Sequence, residues 1–301
     1  MSKIKVGLPR AFQFHSYGLL WYTWLRELGV EIVLSGTTTQ GTLDVGGRCM
    51  VDGACLPLKI LSGHVEELSK AGVDYLFLPR VVKPGAHTYT CPKAGGLPEL
   101  VLSTARTKLP PLLSPTIEGS VSDPKPYYRI GRRLGAGKRA VQTAFQKAYA
   151  AWQKQQERIR MGVKGDQPTI GLLGHSYITE DRWIGHNVKK ELNAHGYQVV
   201  RPANSVKNPG QTVYPRFMFW QSGQDSAGLL QSTNHADGYI FLSAFGCGPD
   251  SYVETYCRKA CERVGVPYMA LTVDEQTGQA GMVTRLEAFM DVVERQGRQR
   301  A

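Results

Sequence analysis

The sequence has no apolar run near the roughly 18 residues that a membrane-spanning helix requires, which excludes a helical integral membrane protein. Its start, Met1-Ser-Lys-Ile-Lys-Val-Gly, lacks the apolar stretch and small-residue cleavage site of a signal peptide, and the chain reads as cytoplasmic. Cysteine is scarce, with 6 in 301 residues, and the paired C-x2-C spacings of structural zinc are absent. In a reducing compartment an even cysteine count is no argument for disulfides. Helix-turn-helix, zinc-finger and RNA-binding signatures are missing too, which counts against nucleic acid as a partner. Nor is there a P-loop. Gly131-Arg-Arg-Leu-Gly-Ala-Gly-Lys138 spaces its glycines one residue too far apart, follows no strand, and puts Arg139 where a Ser or Thr must hold magnesium.

What is present is an ordinary globular composition, 42% hydrophobic and 20% charged, which excludes a disordered or fibrous chain. A length of 301 residues suits two domains of about 150 residues or one large one. The net charge is +11, and residues 125–164 hold eleven Lys/Arg against a single acid, Glu157. Nearly the whole excess therefore lies in one segment. Such a segment suits an acidic protein partner or an anionic ligand, or is simply a solvated basic helix.

Hydrophobic periodicity predicts two α/β halves. In the first, strands are expected at Lys3–Leu8, Glu31–Leu34 and Tyr75–Leu78, with an extended Leu109–Leu113. They alternate with helices at Tyr17–Leu28, Leu56–Lys70 and Leu97–Arg106. Ser114–Tyr128, with Pro115, Pro124 and Pro126, reads as a loop, and Ala136–Arg160 as a long connecting helix. After Gly165–Pro168 the alternation restarts. Strands are expected at Thr169–Leu173, Gln198–Arg201, Tyr239–Leu242 and Tyr268–Leu271. Helices are expected at Asn187–Ala194, Ser251–Val264 and Met282–Arg295, with another ending at Leu229–Ser232. The organisation is thus an N-terminal α/β lobe over 1–120, a basic helical linker over 121–165 and a C-terminal α/β lobe over 166–301, with mostly parallel sheets. Ligands of such sheets gather at the carboxyl ends of strands, so the loops just after strands are the places to look.

Three cysteines lie in turns bearing Gly or Pro rather than inside an apolar period. They are Cys55 in Asp52-Gly-Ala-Cys-Leu-Pro-Leu-Lys59, Cys91 in Tyr89-Thr-Cys-Pro-Lys93 and Cys247 in Ser243-Ala-Phe-Gly-Cys-Gly-Pro-Asp250. Cys55 and Cys247 stand at expected helix N-termini, where peptide dipoles favour a thiolate. Thiolates on separate loops of two domains are what an iron–sulfur cluster uses, so Cys55, Cys91 and Cys247 are candidate metal ligands. The plainer alternative is inert thiols in a binding module. Cys49 is either a fourth ligand or a buried thiol. Cys257 and Cys261, four apart on one helix face, are either a metal pair or core residues.

Other loop residues carry two readings each. His175, in Gly174-His-Ser-Tyr-Ile-Thr179, donates a proton or hydrogen bond to a bound group, or satisfies loop backbone. Asp274 and Glu275 act as acid/base groups, or cap the last helix and pair with Arg285. Arg10 and Arg80 neutralise an anionic cluster or a CoA phosphate, or are surface residues. His64 reads as a packing residue. Phe217-Met-Phe-Trp-Gln-Ser222 covers a cleft, forms a dimer face or is buried.

Five segments carry a family resemblance: Lys5-Val-Gly-Leu-Pro-Arg-Ala11, Val51-Asp-Gly-Ala-Cys-Leu-Pro-Leu-Lys59, Cys91-Pro-Lys-Ala-Gly-Gly-Leu-Pro98, Ala244-Phe-Gly-Cys-Gly-Pro-Asp-Ser251 and the stretch from Asp274 to Phe289. The chain resembles the iron–sulfur proteins related to 2-hydroxyacyl-CoA dehydratases and their activases, most weakly in 114–165 and 203–235. The resemblance implies two flavodoxin-like or Rossmann-like lobes around a cluster, with Cys55, Cys91 and Cys247 at the family's cysteine positions. Cys49, Cys257 and Cys261 have no obvious counterpart. A 4Fe-4S cluster on three cysteines is implied, or a double-cubane 8Fe-9S cluster on six. So is ATP-dependent, low-potential electron transfer from a separate activase, with reduction or dehydration of a 2-hydroxyacyl-CoA or other small molecule at the cluster. The chain has no activase-like ATPase domain of its own, and its basic segment is a candidate docking surface for one. A homodimer, or a heteromer with a related subunit, belongs to the same expectation, as does an anaerobic, oxygen-sensitive setting. The alternatives are a non-catalytic protein that binds or delivers a cluster and a CoA- or nucleotide-binding accessory protein.

Overall fold

The structure, a computed structural model, describes residues 3–161, 167–203, 213–214, 216, 218–232 and 236–300. The chain divides into two compact units, Met1–Gln155 and Gln156–Ala301, each α/β with parallel strands.

The first unit begins with β1 (Lys5–Leu8), α1 (Phe14–Glu27), β2 (Glu31–Leu34), α2 (Gln40–Cys49) and α3 (Leu56–Lys70). It continues with β3 (Tyr75–Phe77), β4 (Arg80–Lys83), α4 (Pro92–Gly95), α5 (Leu97–Thr104), β5 (Leu112–Leu113), β6 (Thr116–Glu118), α6 (Lys125–Arg133) and α7 (Lys138–Met161). Its sheet runs β2-β1-β3-β5, and β4 pairs with β6 beyond it. The β3–β5 ladder carries on across the intervening prolines: Leu76, Leu78 and Arg80 donate in turn to the carbonyls of Pro111, Leu113 and Pro115. Pro79, Pro111 and Pro115 fall at positions where no backbone donor is needed, so the ladder survives them. The segment 114–128, expected as a loop from its prolines, accordingly contains β6 and the start of α6.

Helix α1 buries Tyr17, Leu20, Trp21, Trp24 and Leu25, a stripe at helical spacing, and Gly29 in the left-handed region (φ 77°) turns the chain out of it. The same core takes in Val141, Ala144, Phe145, Ala148 and Trp152 of α7. The helix expected as a connector is therefore part of the first unit for most of its length. Its apolar stripe has a face to cover, and Trp152 donates its indole N–H to the Ser16 carbonyl at 2.9 Å. The basic residues of α6 and α7, from Lys125 to Arg160, lie on the outer, exposed side. The P-loop-like segment is the α6–α7 turn, closed by Gly135 at φ 80°.

Helix α2 has no counterpart among the expectations. Its ten residues include Gly41, Gly46 and Gly47, which argue against helix when read locally. It forms because its backbone lies directly on that of α3, as described below, and because Thr39 and Thr42 cap its start reciprocally.

The second unit holds β7 (Thr169–Leu173), α8 (Ser176–Thr179), α9 (Val188–Ala194), β8 (Gln198–Val200), α10 (Gln221–Ser232), β9 (Gly238–Ala244), α11 (Gly248–Val264), β10 (Tyr268–Val273) and α12 (Gln279–Arg300). Its parallel sheet runs β10-β9-β7-β8. Beginning from β7 the chain steps to one side for β8, then returns past β7 for β9 and β10. The carboxyl ends of β7 and β9 thus flank the point where strand order reverses, the ligand crevice of open α/β sheets. The first unit has the same pattern, with its reversal between β1 and β3. Among the described residues no helix is long and apolar enough to cross a membrane.

Candidate functional site

In the second unit the reversal point is built from two glycine-bearing turns. β7 ends at Leu173, and Gly174 follows at φ 117° with its Cα against β9. A Cβ there would meet the Leu242 carbonyl oxygen at 2.1 Å, so only glycine permits the approach. The next residue, His175, stands before α8, its ring stacked on Tyr177 at 4.4 Å and 13°. From β9 the chain passes Gly246, in the left-handed region, to Cys247, the residue that precedes α11. Asp250 lies in the first turn of that helix, three residues on, and is completely buried.

These turns bring His175, Cys247 and Asp250 together, with one ligand atom from each all within 4.8 Å of one another. His175 Nε2 is 3.2 Å from Asp250 Oδ1; the histidine side chain keeps 18% of its surface and the aspartate none. Burial pushes the Asp250 carboxyl above the usual carboxylate range, outweighing the opposing pull of His175 and the neighbouring Cys247 thiol. Burial likewise holds His175 below its ordinary value against the attraction of Asp250. Both shifts favour the uncharged pair, as expected where water is excluded. Asp250 belongs to the Cys247 motif, and sequence reasoning missed its place in the site. The readable signal is the Cys-x2-Asp spacing at a helix start, which puts both residues on one turn.

In the first unit Cys55 and Cys91 precede α3 and α4, each with a proline in the following turn and neither side chain capping its helix. The two thiols are near enough to act on each other: Cys91 raises the Cys55 pKa, while Lys93 and the Leu58 amide lower it. Burial is the largest influence and leaves Cys55 above the ordinary thiol value. The helix N-terminus, expected to favour a thiolate, is outweighed by desolvation here. Arg80 braces the Cys91 segment by donating to the Gly95 carbonyl at 3.1 Å and by pairing with Glu99. It is a structural arm of α4 and α5.

The remaining candidates fall elsewhere. Cys49 donates to Glu66 at 3.6 Å, and its thiol is pushed up by burial and by the Glu66 charge. Cys257 and Cys261 lie in the apolar core of the second unit, 0% and 1% exposed. His64 is buried with Nε2 3.0 Å from the Thr38 hydroxyl. Arg10 follows β1, and its backbone N–H binds Ser35. Asp274 accepts from the Gln276 N–H and the Thr277 hydroxyl in the turn before α12, which holds its pKa below the usual range. Glu275 is in the same turn. Phe217 lies outside the described residues, and Phe219, next in the aromatic run, is 45% exposed.

A family model described as a CoA enzyme activase uncharacterised domain matches residues 5–204. The match includes Cys55, Cys91 and His175 and ends before Cys247. No curated protein matches the chain. Two solved structures are similar in outline only. One is ZnuA, 9% identical, covering 97% of this chain and 99% of that one at a TM-score of 0.25. The other is a protein assigned as a phosphosugar isomerase from Silicibacter pomeroyi DSS-3, 11% identical, covering 99% and 87% at a TM-score of 0.23. At these scores neither likeness bears on fold or site.

Proposed function

The chain belongs to the CoA enzyme activase domain family, and from that premise we propose that it is a cytoplasmic iron–sulfur protein of the dehydratase/activase system. Its ligands are Cys55 and Cys91 of the first unit and Cys247 of the second. Its electrons come from a separate ATP-hydrolysing activase, and its substrate is a small molecule such as a 2-hydroxyacyl-CoA. The observation that carries the reading is the pairing of Cys55 and Cys91, two thiols on different helices that feel each other's charge with Lys93 beside them. Soft sulfur donors on short turns at helix starts suit iron–sulfur ligation, so the residues fit the group.

When bound, a 4Fe-4S cluster supplies one-electron reduction at low potential. The chain's own part is to hold and balance. Lys93 and the Leu58 amide offset negative charge at Cys55, and the grip of Arg80 on Gly95 and Glu99 keeps the Cys91 segment in place. Buried surroundings at Cys55 keep water away from the sulfur.

The test is iron and acid-labile sulfide per chain on anaerobically purified protein, with a paramagnetic resonance spectrum after reduction. About four irons are expected, falling sharply in Cys55→Ser, Cys91→Ser and Cys247→Ser and unchanged in Cys49→Ser. Full iron in Cys247→Ser removes that residue from the ligand set. No iron after anaerobic reconstitution overturns the reading and leaves an accessory binding protein. Turnover that depends on added activase and ATP separates an enzyme component from a cluster carrier.

A further inference from the structure

Three kinds of donor meet at the reversal point of the second unit: an imidazole nitrogen, a thiol sulfur and a carboxylate oxygen, all within 4.8 Å of one another. We propose that His175, Cys247 and Asp250 bind a single divalent transition-metal ion, zinc or ferrous iron, while no cluster occupies Cys247. This goes beyond the cluster reading, because it uses no residue of the first unit.

Asp250 is the first argument. Its carboxylate is completely buried, and the groups set against it are the Cys247 thiol and the His175 imidazole. A carboxylate at such depth is ordinarily hydrogen-bonded, ion-paired or on a metal. His175 Nε2 lies 3.2 Å from one of its oxygens, within ion-pair distance but not aligned for a hydrogen bond. An ion between them and Cys247 would engage both.

Spacing is the second. A four-coordinate ion with bonds of roughly 2.0–2.3 Å holds its ligand atoms roughly 3.3–3.8 Å apart. The His175–Asp250 separation of 3.2 Å is already close to that. The outer limit of 4.8 Å needs to close by about 1 Å, within reach of side-chain rotation about short turns. The donor mix is the third. Nitrogen and sulfur together select zinc or iron over magnesium or calcium, and three protein ligands leave a fourth position for water or an incoming donor. Tyr177, stacked on His175, restricts the tilt of the imidazole ring.

The experiment titrates chelator-treated, full-length, reduced protein with Zn2+ by calorimetry. A parallel titration with Co2+ follows the sulfur-to-metal absorption that reports bonding to Cys247. About one ion per chain is expected in the natural protein and in a Cys55→Ser/Cys91→Ser double variant. Affinity should fall by at least about tenfold in His175→Gln, Cys247→Ser and Asp250→Asn. Should Asp250→Asn fail to fold, as circular dichroism would reveal, the partly exposed His175→Gln decides. No zinc on the natural protein, affinity unmoved by His175→Gln, or zinc lost from the double variant overturns the proposal. Iron after anaerobic reconstitution is measured separately, so a chain that takes zinc but no iron loses only the cluster reading.

Discussion

Gly46 of α2 and Gly63 of α3 let two helices meet backbone to backbone. A methyl group on Gly46 would come within 1.7 Å of the Lys59 carbonyl oxygen, and one on Gly63 within 2.0 Å of that of Thr42. Both obstacles are main chain, which does not rotate out of the way. Gly46→Ala and Gly63→Ala should each destabilise the first unit by about 1–3 kcal/mol or more, seen as a fall in Tm. Because α3 starts at the Cys55 turn, iron content should fall with it. A Tm equal to that of the natural protein would show that the helices separate easily.

Trp152 fastens α7 to the first unit through its ring, 5.8 Å from that of Tyr17, and through its bond to the Ser16 carbonyl. Trp152→Ala should cost about 3–5 kcal/mol in denaturant unfolding. Trp152→Phe, which keeps an aromatic ring and loses the donor, should cost about 1–3 kcal/mol. Equal losses in the two variants would assign the whole effect to the hydrogen bond.

Glu66 gives the first unit an acid-sensitive joint. Burial works against its charge, but the Thr107 hydroxyl and the amides of Arg106 and Thr107 more than compensate and hold its pKa below the ordinary 4.5. A depressed carboxylate stabilises the fold above its unfolded pKa and loses that contribution as pH falls through the folded value. Unfolding midpoints should therefore drop between about pH 5 and pH 3 in the natural protein, and less steeply in Glu66→Gln. Parallel profiles for the two proteins would refute this role.

Cys257 packs in an apolar core and its thiol is pushed far above its usual range, chiefly by burial. Cys257→Ser exchanges a weakly polar sulfur for a hydroxyl and should cost about 1–3 kcal/mol, with iron per chain unchanged. Iron lost without any loss of stability would move Cys257 into the ligand set.

Local signals made much of the fold readable. Leu56–Lys70 has Pro57 in its first turn and Gly72 beyond its end, and the helix falls on those residues without a shift. Strand Glu31–Leu34 likewise falls where its β-branched run puts it. Helix α2 was unreadable because its glycines are chosen for what lies across from them, and β6 because its pairing comes from the distant β4. The site divides the same way. Glycine and proline marked the turns of Cys55, Cys91 and Cys247, whereas the meeting of Asp250 with His175 depends on β7 lying beside β9. The basic segment showed its charge but not its attachment, since only the buried side of α7 says which unit it serves.

Both units share one strand order, and the position between the first and third strands serves as the same address in each. In the first unit that address is an apolar recess lined by Leu8, Pro9, Phe12, Phe77, Leu78 and Pro79; in the second it holds histidine, cysteine and aspartate. Each address is furnished by its own loops on its own frame. Natural selection can therefore rewrite the chemistry at one while the other stays as it is, and a single chain can acquire new ligands one half at a time.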